Sequence, residues 1–173
     1  LNFANGAAEA DLVVICTPVR DVVPMLEVIA PSLKPGAIVT DVGSTKGEIT
    51  EDASQVMPVG RYFVGGHPMA GSEQTGVEAA TSELFVGATY VVTPNGGTDL
   101  QAMGKLVAFA EAVGANVEIM SPDEHDMAAA IISHLPHVMS GALLEAAEKA
   151  QRESGKVFGM AAGSFRDLTR ISG

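Results

Sequence analysis

A histidine set between two glycines and a proline, Gly65-Gly66-His67-Pro68, is the position in this sequence best suited to moving a proton. Its backbone is constrained on both sides, and an imidazole titrates near neutrality, so a ring held there can accept the proton of a hydroxyl undergoing oxidation. A hydrogen-bonded loop histidine without chemistry is the competing reading. Earlier, Asp41-Val42-Gly43-Ser44-Thr45-Lys46-Gly47 joins glycines that let backbone approach a ligand with hydroxyls placed near a helix start. Ser44 reads as a helix cap, as a ligand contact, or as both. Lys46 reads as a solvent-facing turn charge or as a cation for a phosphate or carboxylate.

Two further histidines, His134 and His137, lie three apart in Ser133-His134-Leu135-Pro136-His137 and share roughly one helical face, with Pro136 expected to kink the helix. They read as structural or capping groups or as ligand contacts. A metal site is the weaker reading, since no tight cysteine or acidic cluster accompanies them. Near the end, Gly163-Ser164-Phe165-Arg166-Asp167-Leu168-Thr169-Arg170-Ile171 carries two arginines, each able to grip a carboxylate in a bidentate fork or to pair with local acids.

These residues need a frame. Asp11-Leu12-Val13-Val14-Ile15-Cys16-Thr17-Pro18 is a continuous apolar run stopped by proline, the pattern of a strand buried on both faces. Val19, Val22, Val23, Leu26 and Ile29 recur at helical spacing, with Pro24 near the start where a missing amide is tolerated. A Lys34-Pro35-Gly36 turn follows, and Ala37-Ile38-Val39-Thr40 forms a second run ending in Asp41. Gly47 to Met57 reads as a helix, and Tyr62-Phe63-Val64 as a short strand reaching the His67 segment. Residues 69–87 read as a folded crossover with a helical piece around Val77 to Leu84. A strand over Ala88 to Thr93, a helix over Leu100 to Val113 and a last strand over Asn116 to Met120 complete the alternation.

Strands alternating with helices imply a mostly parallel sheet covered on both faces. The expected class is therefore α/β, a partial Rossmann-like parallel sheet over 1–120. Ser121 as a cap, Pro122 at the first helical position, and Asp123 and Glu124 in the first turn mark a long helix. The alanine-, leucine- and methionine-rich run that follows is expected to open an all-helical domain over 121–173, its small side chains buried against one another. Ligands of parallel sheets bind beyond the carboxyl ends of the strands, and Thr17-Pro18, the Gly43-Ser44 loop and the His67 segment all fall there.

Ten basic and 21 acidic residues give a net charge of -11, which argues against a nucleic-acid surface. Half of the basic residues lie after Leu144, so a local anion site there is compatible with an acidic chain. Cys16, the single cysteine, has no internal partner and is expected to be a buried structural thiol. No secretory segment or long uninterrupted apolar stretch is read, so neither a membrane nor a location other than the cytoplasm is expected. No Gly-x-Gly-x-x-Gly occurs, and the unit that holds a pyrophosphate is expected to precede Leu1.

Taken in order, Ala10-Asp11 through Thr17-Pro18, Asp41 to Gly47, Gly65-Gly66-His67-Pro68-Met69-Ala70-Gly71-Ser72-Glu73, Leu84-Phe85, Ser133 to His137 and Gly163 to Ile171 resemble the prephenate and arogenate dehydrogenase family over nearly the whole chain. The resemblance implies oxidative decarboxylation of prephenate or arogenate in tyrosine biosynthesis, with NAD or NADP as cofactor. It implies that His67 is the catalytic histidine, that Ser44 orients the substrate hydroxyl, that Arg170 binds a substrate carboxylate and that His134 and His137 line the substrate cleft. A homodimer through the helical domain is implied, with Asp167 serving the substrate site across the interface. Cofactor contacts fall to Thr17, Pro18, Gly43 and Ser44. More helices are expected after Arg170, and this segment alone is expected to be inactive. Another hydroxy-acid dehydrogenase of similar plan and a non-catalytic anion-binding module are the alternatives.

Overall fold

The computed structural model describes residues 3–71 and 77–171, so Ser72 and Glu73 of the third motif lie outside the described residues. The chain divides into two compact units, Leu1–Asp126 and Met127–Gly173.

In the first unit, α1 (Phe3–Ala8) leads to β1 (Leu12–Ile15), α2 (Val19–Ile29), β2 (Ile38–Asp41), α3 (Gly47–Val56) and β3 (Tyr62–Phe63). The strand and helix order expected from the apolar runs is present, and β1, β2 and β3 pair in parallel in that order. Ile15 stands opposite Asp41, so β1 and β2 finish level with each other. Successive side chains of β2 point to opposite faces, as strand geometry requires. Val39 joins a core with Val22, Leu26, Ile29 and Ile49, whereas Ile38 joins the other core with Val64, Val92 and Leu106. Helices therefore cover both faces of this α/β sheet. Leu26 and Leu106 are wholly inaccessible, and burying each contributes about 1.5–3 kcal/mol relative to exposure. Pro24 lies inside α2 past its first turn, not among the unpaired amides at the start.

The parallel pattern breaks after β3. Val64 N still donates to Val39 O at 2.9 Å, but Gly65–Pro68 then forms strand β4 instead of a loop. Strand β5 (Thr89–Thr93) pairs antiparallel with β4, placing His67 opposite Val91, and β6 (Asn116–Ile119) pairs parallel with β5. A parallel return needs a crossover, usually a helix. The helix expected over Val77 to Leu84 is not formed: the chain there makes a 3-10 turn, Val77–Ala79, followed by further turns. Without a periodic apolar face this segment does not build a crossover helix, and the chain comes back antiparallel. Helix α4 (Leu100–Ala112) buries Ala102, Leu106 and Ala110, and the Asp99 carboxylate caps it by accepting from Ala102 N at 2.8 Å.

Helix α5 (Pro122–Ala129) starts where Ser121 and Glu124 form a capping box: Ser121 N and Oγ both donate to Glu124 Oε2 at 2.8 Å, and Glu124 N donates to Ser121 Oγ at 3.3 Å. A π turn (Ala130–His134) and α6 (Leu135–Ser154) follow. The disturbance expected from Pro136 takes the form of this π turn, in which Leu135 N reaches Ala130 O just before the residue that has no N–H to give. Gly155 ends α6 in the left-handed conformation, φ 70°, a position that favours glycine. Helix α7 (Gly163–Thr169) comes last. Ala129 and Ala147 are buried as expected, but Ile131, Ile132, Leu135, Val138 and Met139 are exposed rather than packed against the chain. By length and composition alone the 33-residue helical run Pro122–Ser154 is apolar enough to cross a membrane, a stretch not recognised from the sequence.

Candidate active site

Lys46 is neither a solvent-facing charge nor free to meet a ligand. Its side chain is fully buried, paired with Asp41, and donates to the carbonyl of Gly66 at 2.9 Å. Asp41 is equally buried and accepts from Gly43 N at 2.9 Å and from Gly66 N at 3.3 Å. The loop Gly43-Ser44-Thr45-Lys46 is thus tied at its start to Asp41 and at its end to both Asp41 and Gly66, the residue next to His67. Two buried charges are tolerated here because each satisfies the other and backbone groups take the remaining bonds. Burial pushes the Lys46 ammonium below its ordinary pKa, with the Asp41 carboxylate opposing that shift.

The pair of glycines before His67 has a steric cause. A Cβ on Gly66 would sit 2.8 Å from Thr40 Oγ1, 2.9 Å from the Tyr90 hydroxyl and 3.0 Å from the Asp41 carbonyl oxygen. One on Gly65 would collide with Thr93 Oγ1. Only hydrogen at these positions lets β4 lie this close to β2 and β5.

His67 is half-buried on β4, and its Nδ1 lies 2.8 Å from Nε2 of His125, the two rings meeting edge to face at a centroid separation of 5.0 Å. His125 is only 2% exposed. Its Nδ1 lies 2.8 Å from Asp126 Oδ1. The Asp126 carboxylate also receives Lys46 N at 2.7 Å and Gly47 N at 2.9 Å, the first donors of α3. Burial raises the pKa of Asp126, but the Gly47 amide, His125 and the Lys46 amide together hold it below the usual carboxylate value. The cap expected from Ser44 is therefore filled by Asp126, and Ser44 itself is half-buried in the loop. Neither His125 nor Asp126 was singled out from the sequence. The dipeptide stands among ordinary acidic residues of a helix start, and its partners lie 58 and 80 positions away.

Thr17 and Pro18 sit where β1 ends, beside the end of β2 that opens into the Gly43-Ser44 loop. Thr17 Oγ1 is buried without a hydrogen-bond partner among the described residues, and Pro18 is exposed at the start of α2. Cys16 is exposed, against the expectation of a buried thiol, because β1 stops at Ile15 and the cysteine lies past the packed strand. Partial desolvation, and secondarily the Asp41 charge, raise its pKa, which disfavours the reactive thiolate.

The remaining predicted residues belong to the second unit. His134 is half-buried at the end of the π turn, and His137 is exposed with its Nδ1 donating to the Ser133 carbonyl at 2.9 Å. Asp167 on α7 and Arg170 just after it are exposed. Among the described residues no three His, Cys, Asp or Glu side chains gather in a way that could hold a metal ion. What the first unit does assemble is an imidazole backed by a second imidazole and a carboxylate. Beside it lies a glycine- and hydroxyl-bearing loop at the carboxyl ends of parallel strands. Such an arrangement can take a proton from an alcohol.

Comparison with known proteins shows what the chain as a whole is similar to. Residues 2–119 match the prephenate dehydrogenase nucleotide-binding domain, and residues 121–173 match the prephenate dehydrogenase dimerization domain. The chain is 42% identical over 172 residues to prephenate dehydrogenase of Bacillus subtilis (strain 168), covering 99% of this chain and 46% of that protein. It superimposes on the crystal structure of Synechocystis arogenate dehydrogenase with a TM-score of 0.83 at 39% identity, covering 98% of this chain and 61% of the other. Against prephenate dehydrogenase from A. aeolicus, solved in complex with hydroxyphenyl propionate and NAD+, the TM-score is 0.85 at 35% identity, covering 94% and 56%. The chain spans about half the length of the curated relatives it matches.

Proposed function

The chain belongs to the prephenate dehydrogenase family, and from that premise we propose that the protein oxidatively decarboxylates prephenate or arogenate with NAD or NADP, in tyrosine biosynthesis. The observation that carries the proposal is the Asp41–Lys46 clamp, which holds the Ser44 loop against the strand bearing His67. The reaction needs a base and an orienting hydroxyl near one substrate oxygen, and this is the chain's means of holding both.

The edge where β1 and β2 end suits a dinucleotide: Thr17 Oγ1 there is a buried polar atom with no partner among the described residues. The chemistry a bound nicotinamide supplies is acceptance of hydride from the ring carbon that carries the hydroxyl. His67 accepts the hydroxyl proton, which raises electron density on that carbon, and Ser44 orients the hydroxyl toward the imidazole. Loss of the ring carboxylate as carbon dioxide is driven by formation of the aromatic ring. Arg170 holds a substrate carboxylate and exchanges no proton at neutral pH. His134, His137 and Asp167 contribute further polar contacts to the substrate.

The same reading makes the enzyme a cytoplasmic homodimer. It assigns residues 1–120 to cofactor binding and 121–173 to the helical substrate and dimerisation domain, with the exposed apolar side chains around Ile131 to Met139 covered by protein. The test is an assay of the full-length protein with prephenate and with arogenate, each with NAD and with NADP, following reduced cofactor and carbon dioxide together. Equal amounts of both products are expected for at least one combination. Cofactor reduction without carbon dioxide would instead indicate a simple hydroxy-acid dehydrogenase, and no turnover would indicate a binding module.

A further inference from the structure

We propose that His125 and Asp126 are positioning residues that hold His67 in the tautomer whose Nδ1 carries hydrogen and whose Nε2 is the proton acceptor. The inference rests on the reading of His67 as the base, and it is drawn from three consecutive contacts within the first unit.

Asp126 is fixed first. Its carboxylate takes two backbone N–H bonds at the start of α3, from Lys46 and Gly47, and has the buried Lys46–Asp41 pair nearby. Those donors hold Asp126 ionised near neutral pH, and an ionised carboxylate only accepts. The 2.8 Å contact to His125 Nδ1 therefore places a hydrogen on that nitrogen. A neutral His125 then presents a lone pair at Nε2, and the 2.8 Å contact from there to His67 Nδ1 requires the hydrogen to sit on His67. What remains on a neutral His67 is a lone pair at Nε2. Burial of His125, only 2% exposed, keeps water from replacing either bond.

The consequence for the reaction is specific. When the substrate O–H bond breaks and a bond forms from hydrogen to His67 Nε2, the positive charge on His67 spreads toward His125 and is stabilised by Asp126. The carboxylate keeps its charge and takes no proton, as in other carboxylate-backed histidines. Among the described residues, charged groups near these contacts are Lys46 and Asp41 beyond Asp126 and Asp123 beside Gly47. None of them sits between the two rings, whose nitrogens are in direct contact at 2.8 Å.

The experiment uses the full-length protein as wild type, His125→Phe and His125→Gln, with two readouts. Imidazole nitrogen NMR at mildly alkaline pH reports the His67 tautomer without any substrate, and steady-state kinetics over a pH range reports kcat and KM. The Nδ1–H tautomer is expected in the wild type and in His125→Gln, whose side-chain oxygen can still accept from Nδ1. In His125→Phe the Nε2–H form should appear, with kcat falling about tenfold or more at nearly constant KM. His125→Gln should recover most of that loss, while its acid limb moves to lower pH by about 0.5–1 unit because Asp126 no longer supports the imidazolium. An Nε2–H tautomer in the wild type, or a glutamine variant no better than phenylalanine, would overturn the proposal. If the protein turns over neither prephenate nor arogenate, the functional reading fails, and the NMR result still decides the tautomer.

Discussion

The ammonium of Lys46 reaches the carbonyl oxygen of Gly66 at 2.9 Å, so a fully buried cation on the Ser44 loop holds the residue that precedes His67. Asp41 completes the tie by pairing with Lys46 and accepting the Gly66 amide. Donor and acceptor of a single peptide residue are thus both held by one ion pair, which fixes the local height and tilt of β4.

Breaking that pair from one side leaves an uncompensated buried charge. Lys46→Met in the full-length protein should lower stability by about 3–5 kcal/mol, and Asp41→Asn should do similar damage because it also weakens the Gly43 and Gly66 amide bonds. The double variant should lose clearly less than the sum of the two, since neither charge is then stranded. Denaturant unfolding of the four proteins measures this, and strict additivity would count against the clamp.

Gly66→Ala tests the close approach. The added carbon meets the Asp41 backbone oxygen, which cannot rotate away, so a loss of about 1–3 kcal/mol is expected, together with a fall in turnover from displaced His67. Gly104→Ala is the control. Nothing among the described residues lies within 4 Å of a Cβ on this exposed residue of α4, and the helix should gain about 0.5–1 kcal/mol.

Acid should loosen the tie that Asp126 makes to α3. Its folded pKa lies below the ordinary value of 3.8, so its stabilisation is fully present above that pH and is lost as pH falls through the folded pKa. The stability difference between wild type and Asp126→Asn should therefore be widest above about pH 5 and close progressively below pH 3.8. A difference that stays constant across that range contradicts the assignment.

Arg170→Gln should act on binding. Losing hydrogen bonds to a charged carboxylate removes about 1.5–3 kcal/mol, a rise in KM of roughly 10–100-fold, with kcat changed much less. An unchanged KM would remove Arg170 from the substrate site.

Much of the first unit was legible because its signals are local. The spacing of Val22, Leu26 and Ile29, the apolar stretches that contain β1 and β2, and the Ser121 cap ahead of Pro122 all report structure formed within a few residues. Strand β4 was not legible: Gly65-Gly66-His67-Pro68 has poor strand character, and its conformation comes from pairing with β5. The burial of Lys46 was hidden for a related reason, since a lysine in a glycine-rich turn looks solvated until packing brings Asp41 and the Gly66 carbonyl onto it. Of the readings open for Ser44, the cap falls away because Asp126, which fills that role, arrives from the far side of the unit's sequence.

The most direct measurement is the rate of reduced-cofactor formation in a single turnover by full-length wild type and His67→Asn, with substrate and cofactor saturating. The account predicts a fall of about 10²–10⁴-fold, with cofactor affinity unchanged. A rate within a few-fold of wild type would show that the hydroxyl proton leaves by another route and that His67 is not the base.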